Sequence, residues 1–200
     1  GQITVRTPLI NDAILESNES VVLTVTPIAS SLSGMTVYNV NYQLINLGSM
    51  SLISGTDGAI NAVYKKTNAI TISGQAIDAQ ITIKAQSNLV DFLFDQNSSN
   101  PERFQPEIGS TSNSGSYVDF EIKFFQSGTS TAVALENFYV TGVDVDGASS
   151  SAREFAELES FSSYQLGSGT GLTVTPNFRP GFTRFLGITS SLNGITFENT

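Results

Sequence analysis

The chain has 200 residues, 40% of them hydrophobic and 14% charged, with 18 acidic against 9 basic residues and a formal net charge of −9. This composition supports a buried core, and the acidity argues against nucleic acid, whose phosphates need basic patches. Because cysteine and histidine are both absent, disulfides, thiolate chemistry, a Ser-His-Asp triad and nearly all zinc enzymes are excluded.

The chain ends predict an internal piece of a longer, exported protein. No apolar run reaches the roughly 18 residues of a membrane span, so membrane insertion is not expected. The N-terminal GQITVRTP lacks the basic and apolar segments of a signal peptide. Strand-like runs open and close the sequence, which favours flanking modules on either side.

Short runs with period-2 alternation or β-branched residues follow one another, separated by clusters of Gly, Ser, Asn and Asp. The run YVDFEIKFF is the clearest, with apolar residues at 118, 120, 122 and 124 and charged residues at 119, 121 and 123. Such strands predict an all-β, antiparallel β-sandwich, Ig-like or jelly-roll-like, built as one or two sandwiches. The predicted strands are 3–7, 20–27, 35–45, 59–66, 68–74, 79–86, 89–95, 117–125, 131–145, 171–175, 183–189 and 194–197.

The stretch AREFAELESF, residues 152–161, is the ambiguous one. Phe155, Leu158 and Phe161 have the spacing of a helical stripe, whereas a strand would place Phe155 and Glu157 on one face and mix apolar with charged residues. We expect a short helix here, with a strand as the alternative.

The polar stretch 97–116 contains Pro101 and Pro106 and is expected to be a long loop or a linker between sandwiches. Its Phe104 and Ile108 are available to pack on a core, which favours a packed loop.

Two strand-like runs, ITVRTPLI and VVLTVTP, flank the acidic turn NDAILESNES within the first 28 residues. This order resembles the later strands of a Calx-beta repeat. The resemblance implies a β-sandwich module, divides the chain into 1–28 and a second β-sandwich module at 29–200, and implies a calcium site at Asp12, Glu16 and Glu19. Asn11 stands where a second aspartate is common in that family. Without the resemblance, these carboxylates would form a solvated turn.

From about Met35 onwards, the runs YVDFEIKFF, NFYVTGVDVDG and TRFLGITSSLNGITF resemble modules of very long secreted bacterial surface proteins. The resemblance implies an extracellular, cell-surface location and an adhesive or spacer role.

The stretch VTGVDVDGASSSAREFAELE, residues 140–159, is either a calcium loop or an Asp-Gly turn between strands. An EF-hand alignment puts Asp144 at position 3 and Asp146 at position 5 but leaves glycine at position 1 and arginine at position 12, so it is not an EF-hand. A looser Ca²⁺ site with Asp144, Asp146 and a glutamate further along, Glu154 or alternatively Glu157 or Glu159, stays open beside the hairpin turn.

Aromatic residues are the candidates for sugar binding, and the chain has six tyrosines but no tryptophan. Tyr38 and Tyr42 are four apart in a predicted strand and would share a face. The alternative is that these tyrosines are half-buried core residues.

No motif selects a catalytic pair among the acidic residues, so we expect a non-enzymatic, extracellular adhesive or spacer module of a large bacterial cell-surface protein. Ca²⁺ is the candidate cofactor. The expected partners are neighbouring modules of the same protein, surface glycans or other surface proteins, without nucleic acid. The alternatives are a calcium-dependent, lectin-like carbohydrate-binding module and a subunit of an extracellular filament.

Overall fold

The fold was analysed in a computed structural model that describes residues 3–7, 20–25, 34–87, 89–94, 104, 106–110, 115–143, 145, 153–166 and 171–187. These residues form β-strands joined by turns, and no helix occurs among them. The strands are β1 (Ile3–Thr7), β2 (Ser20–Val25), β3 (Thr36–Asn39), β4 (Ser51–Ser54), β5 (Val63–Ile72), β6 (Gln75–Ser87), β7 (Leu89–Leu93), β8 (Glu107–Ser110), β9 (Tyr117–Gln126), β10 (Ala132–Glu136), β11 (Phe138–Val143), β12 (Phe155–Leu158), β13 (Ser163–Leu166), β14 (Leu172–Arg179) and β15 (Phe182–Gly187).

Ten of these strands form one sheet, along which the order is β14-β15-β12-β1-β9-β6-β5-β4. β10 pairs with the end of β9 on the same side as β1, and β3 continues from β10 in parallel. Two smaller antiparallel sheets, β11-β2-β13 and β7-β8, complete the described structure. The early strands β1 and β2 thus pair with strands that come much later in the chain.

Both smaller sheets pack on the same apolar face of the large sheet. The ring of Phe138 in β11 lies edge-on to that of Phe124 in β9, with centroids 6.3 Å apart. Phe120 of β9 meets Phe92 of β7 at 6.2 Å and Phe104 at 5.0 Å. The predicted all-β, antiparallel β-sandwich is therefore confirmed, with its core between these layers.

The apolar face predicted for 117–125 is also found, although Asp119 and Glu121 on the opposite face are buried as well, at 6% and 7% exposed. Its four apolar residues are buried in the core together with the alternating isoleucines of β6. In the 97–116 stretch, Ile108 is 1% exposed and Phe104 packs against the core, while residues 107–110 form β8.

The predicted helix at 152–161 is wrong, because residues 155–158 form β12 between β1 and β15. Ala156 and Leu158 face the core on one side of this strand. Glu157 lies on the other side, where two arginines neutralise it. The mixed face that argued against a strand is thus stabilised by partners from the last two strands of the large sheet.

Two predicted strands are shorter than expected. The strand predicted at 35–45 ends at Asn39, since Asn41 and Tyr42 have left-handed φ values of 50° and 59°. The strand predicted at 131–145 is interrupted at Asn137, whose φ is 56°, so β10 and β11 belong to different sheets. Conversely, the runs at 59–66 and 68–74 join into the single strand β5, which carries an irregularity between Lys66 and Ile70.

Candidate functional site

The outer face of the large sheet carries a row of charged residues that crosses four adjacent strands. In backbone register, Asp119 of β9 lies opposite Arg6 of β1, Arg6 lies opposite Glu157 of β12, and Glu157 lies opposite Arg184 of β15. The residue types at these register positions therefore alternate in sign along the four strands.

Glu157 is the centre of the row and is fully buried, with 0% of its surface exposed. One carboxylate oxygen accepts a hydrogen bond from Arg179 Nε at 2.6 Å, and the other accepts one from Arg184 Nε at 2.7 Å. Arg179 also lies 3.6 Å from the carboxylate of Asp119. A buried carboxylate is costly unless it is paired in this way, so the two arginines offset the cost of burying Glu157.

Aromatic rings hold the two guanidinium groups in place. The Arg184 guanidinium carbon lies 4.3 Å from the ring centroid of Phe155 and 3.4 Å from that of Phe178. That of Arg179 lies 3.4 Å from the ring centroid of Phe182. These cation–π contacts and ion pairs pair the charges of the row with one another and with aromatic rings. The row therefore stabilises the packing of the strands.

A second buried carboxylate, Asp78 of β6, joins the irregular part of β5 to the turn that follows β9. It accepts hydrogen bonds from Lys65 Nζ at 2.7 Å, from the Asn68 backbone N–H at 2.9 Å and from the Gly128 backbone N–H at 3.4 Å. Burial acts to raise the pKa of Asp78, but hydrogen bonds from Lys65, Asn68, Ser127 and Gly128 outweigh it and lower the pKa to about 2.

Tyr64 of β5 fixes the preceding turn from within the core. Its ring stacks on Phe94, and its hydroxyl donates to Asp57 Oδ1 at 2.5 Å and accepts from the Gly58 N–H at 2.7 Å. Burial and the Asp57 hydrogen bond raise the pKa of Tyr64 to about 12, against an opposing contribution from Gly58. Tyr64 is a core residue, in agreement with the alternative that tyrosines of this chain belong to the core.

Tyr42 and Tyr139 form a different kind of pair, because both rings remain half exposed. Their centroids are 4.5 Å apart with an interplanar angle of 22°, and the two residues are 51% and 53% exposed. The expectation that Tyr38 and Tyr42 share a strand face is wrong, since β3 ends between them and Tyr38 packs against the core. No sequence signal connected Tyr42 with Tyr139, which lie on separate segments.

The backbone at Tyr42 is unusual for an aromatic residue. A left-handed φ is common for glycine and tolerated by asparagine, but it costs other residues about 1–3 kcal/mol. Stacking on Tyr139 contributes about 0.5–1.5 kcal/mol in the opposite direction. The Tyr42 N–H donates to the Asn137 carbonyl at 3.0 Å, which fixes the turn over the start of β11. We take this turn, residues 39–43 with Tyr139, as the candidate ligand-binding site and call it the tyrosine platform.

Most of the sequence-predicted calcium residues lie outside the described residues: Asp12, Glu16, Glu19, Asp144 and Asp146. Glu154 is described; it is 5% exposed, and its backbone carbonyl accepts a hydrogen bond from Gly187 N at 3.0 Å. Among the described residues, no group of three or more acidic side chains is placed to hold a metal ion.

A shallow depression of about 260 Å³ lies beside the edge strand β4. Its lining is Ser49, Ser51, Ile53, Lys65, Lys66 and Thr67. Nowhere in the described part of the chain is there a helix with the length and hydropathy of a membrane span.

No family model matches this chain, and neither a curated protein nor a solved structure is similar enough to count as a match. Its function therefore has to be inferred from its own residues.

Proposed function

We propose that this chain is a non-enzymatic, extracellular β-sandwich module that acts as an adhesive or spacer segment of a large bacterial cell-surface protein. The observation that carries the proposal is the buried ion-pair group of the large sheet, in which Glu157 lies between Arg179 and Arg184. An internally paired charge of this kind holds strands together and leaves no free acid or base at that position. The resemblance of several strand runs to bacterial surface modules supports the same role.

A spacer has to resist force, and the position of β1 suits that task. β1 is hydrogen-bonded along both edges, to β9 and to β12, and the charged row crosses it. Pulling it out of the sheet requires both backbone ladders to break. The core layers on the opposite face add apolar burial to the same barrier.

Single-molecule stretching of the full chain between its two ends tests this role. We expect one cooperative unfolding event with a clear force peak, lowered by Arg184→Met. Lys84→Met is the matched control, since Lys84 is 46% exposed and lies 3.8 Å from Glu121, which keeps a closer partner in Lys123 at 2.8 Å; loss of an exposed lysine of this kind costs little. Extension without a resolvable force peak would contradict the proposal that the module resists force.

Calcium remains part of the proposal as a cofactor that stiffens the junctions between modules. The candidate ligands are the acidic turn with Asp12, Glu16 and Glu19, and the segment with Asp144, Asp146 and Glu154. Support comes from the Calx-beta resemblance and from the oxygen ligands that Ca²⁺ prefers.

A filament subunit is a second candidate, favoured by the difference between β4 and β14, two of the three edge strands of the large sheet beside β3. All four residues of β4 are exposed, and among the described strands β4 pairs with β5 alone. β14 contains Pro176 and is irregular between Thr175 and Arg179, which discourages strand addition. β4 is thus favoured over β14 for the addition of a strand by a neighbouring copy.

Electron microscopy and sedimentation of the concentrated chain test this second candidate. Ile53→Lys in β4 should abolish assembly, whereas Thr175→Lys in β14 should leave it intact. A chain that stays monomeric before any substitution rules the filament out.

A further inference from the structure

We propose that the tyrosine platform binds a neutral saccharide, with the rings of Tyr42 and Tyr139 as the contact surface. The inference rests on the adhesive part of the proposed function and gives it a ligand class and a site. It requires no calcium, unlike the lectin-like alternative considered from the sequence.

The rings of Tyr42 and Tyr139 are more exposed than the fold requires. Tyr42 is 51% exposed and Tyr139 is 53% exposed, although each ring stacks on the other. A turn with Tyr42 in the left-handed region would form more easily with glycine or asparagine there. An aromatic residue kept in such a conformation and turned to solvent is the type of outlier from which a functional role is inferred.

Hydrogen bonds hold the tyrosine platform rigidly. The Val40 N–H donates to the Glu136 carbonyl at 2.9 Å, and the Tyr42 N–H donates to the Asn137 carbonyl at 3.0 Å. Within the turn, the Asn41 N–H donates to Asn39 Oδ1 at 2.8 Å. These bonds attach the turn to the junction between β10 and β11, so the two rings are pre-organised and little ordering is required on binding.

The residues next to Tyr42 in the sequence carry polar groups that suit a sugar. Asn39, Asn41 and Gln43 are exposed beside Tyr42 and carry amides, which both donate and accept hydrogen bonds. Sugar hydroxyls need such partners, and the C–H face of a pyranose packs on an aromatic ring. The residues of the turn, 39–43, include no charged side chain, and the whole chain has a net charge of −9. These features favour a neutral sugar over an anionic one.

A mutual stack with no ligand is the competing explanation, and a patch for another protein is a further one. The stack alone would account for the ring contact but not for two rings that stay half exposed beside a left-handed Tyr42. A protein partner would usually require a patch of several hundred Å², to which the exposed Val37 and Leu44 would have to contribute beside the two rings.

The test uses the full chain labelled with 3-fluorotyrosine, in which six tyrosines give assignable fluorine signals. The probes are oligosaccharides of β-1,4-linked glucose and of β-linked galactose, with oligogalacturonate as the anionic comparison. We expect saturable shifts confined to Tyr42 and Tyr139 with at least one neutral probe in the millimolar range, and none with oligogalacturonate. Shifts centred on other tyrosines, or no shift with either neutral probe, would overturn the proposal.

Two variants complete the test. Tyr42→Asn suits the left-handed turn and Tyr139→Thr suits a strand, so both should fold with little change in Tm. Together they should weaken binding by about tenfold or more. Unchanged affinity in the double variant would also refute the platform. Retained force resistance with no saccharide binding would leave the spacer role standing and remove only the ligand.

Discussion

The Arg184 Nε atom lies 2.7 Å from Glu157 Oε1, and this contact joins two neighbouring strands of the large sheet across a fully buried carboxylate. Arg179 holds the other oxygen from β14. The relationship explains why a strand with a glutamate at its centre is stable in the interior. It also makes the stability of the module depend on residues that are distant in sequence.

Replacing Arg184 with methionine should therefore destabilise the protein by roughly 3 kcal/mol, because Glu157 would be left buried with one partner fewer. Urea denaturation measures the change in the free energy of unfolding. Lys84→Met, at an exposed lysine whose partner Glu121 keeps Lys123, should change that free energy by less than about 1 kcal/mol. Equal effects of the two substitutions would show that the buried pair is unimportant.

A triple substitution separates charge pairing from packing. Glu157→Leu, Arg179→Met and Arg184→Met together should recover part of the stability that Arg184→Met alone loses, because Glu157 is no longer left under-paired, while Asp119 loses its contact with Arg179. The same denaturation experiment measures it. If the triple variant is less stable than Arg184→Met, then stacking on the phenylalanine rings contributes more than charge neutralisation.

Acid should weaken the contribution of Asp78 in a defined pH range. Its pKa is lowered from 3.8 to about 2 in the folded protein, so its stabilisation is present above pH 3.8 and is lost as the pH falls towards 2. The difference in unfolding free energy between the wild type and Asp78→Asn should be about 2 kcal/mol at neutral pH and should shrink below pH 4. A difference that is constant between neutral pH and pH 2 would contradict the ion-pair account.

Tyr64 should behave differently from the other tyrosines at high pH. Its pKa is raised to about 12 by burial and by Asp57, so its stabilisation is present below pH 10 and is lost as the pH rises through 12. Ultraviolet titration should show one phenol that ionises late, and Tyr64→Phe should remove it. The same variant leaves the Gly58 N–H without its acceptor and should cost about 1–2 kcal/mol of stability.

Calcium should raise the melting temperature if the acidic segments form a site. We expect a higher Tm in excess CaCl₂ than in EGTA, equivalent to about 2.7 kcal/mol at a hundredfold excess over Kd. Loss of that rise in Asp144→Ala/Asp146→Ala would assign the site to the VDVDG segment. A rise in Tm that the double variant keeps would favour the site at Asp12, Glu16 and Glu19. No rise in Tm in either protein would remove calcium from the proposal.

Sequence alone determined that this protein is all-β and antiparallel, because period-2 alternation specifies both the strand and its buried face. The apolar positions of 117–125 are in the core as predicted, and Phe104 and Ile108 pack there too. These features depend on local pattern, which a single sequence displays directly.

Only the tertiary structure decided the features that require partners from distant segments. Residues 155–158 form a strand because arginines 22 and 27 residues later neutralise Glu157. Tyr42 meets Tyr139 because turns at Asn41 and Asn137 bring two separate segments together. Charge compensation and ring stacking act through space, so the spacing of residues along the chain does not encode them.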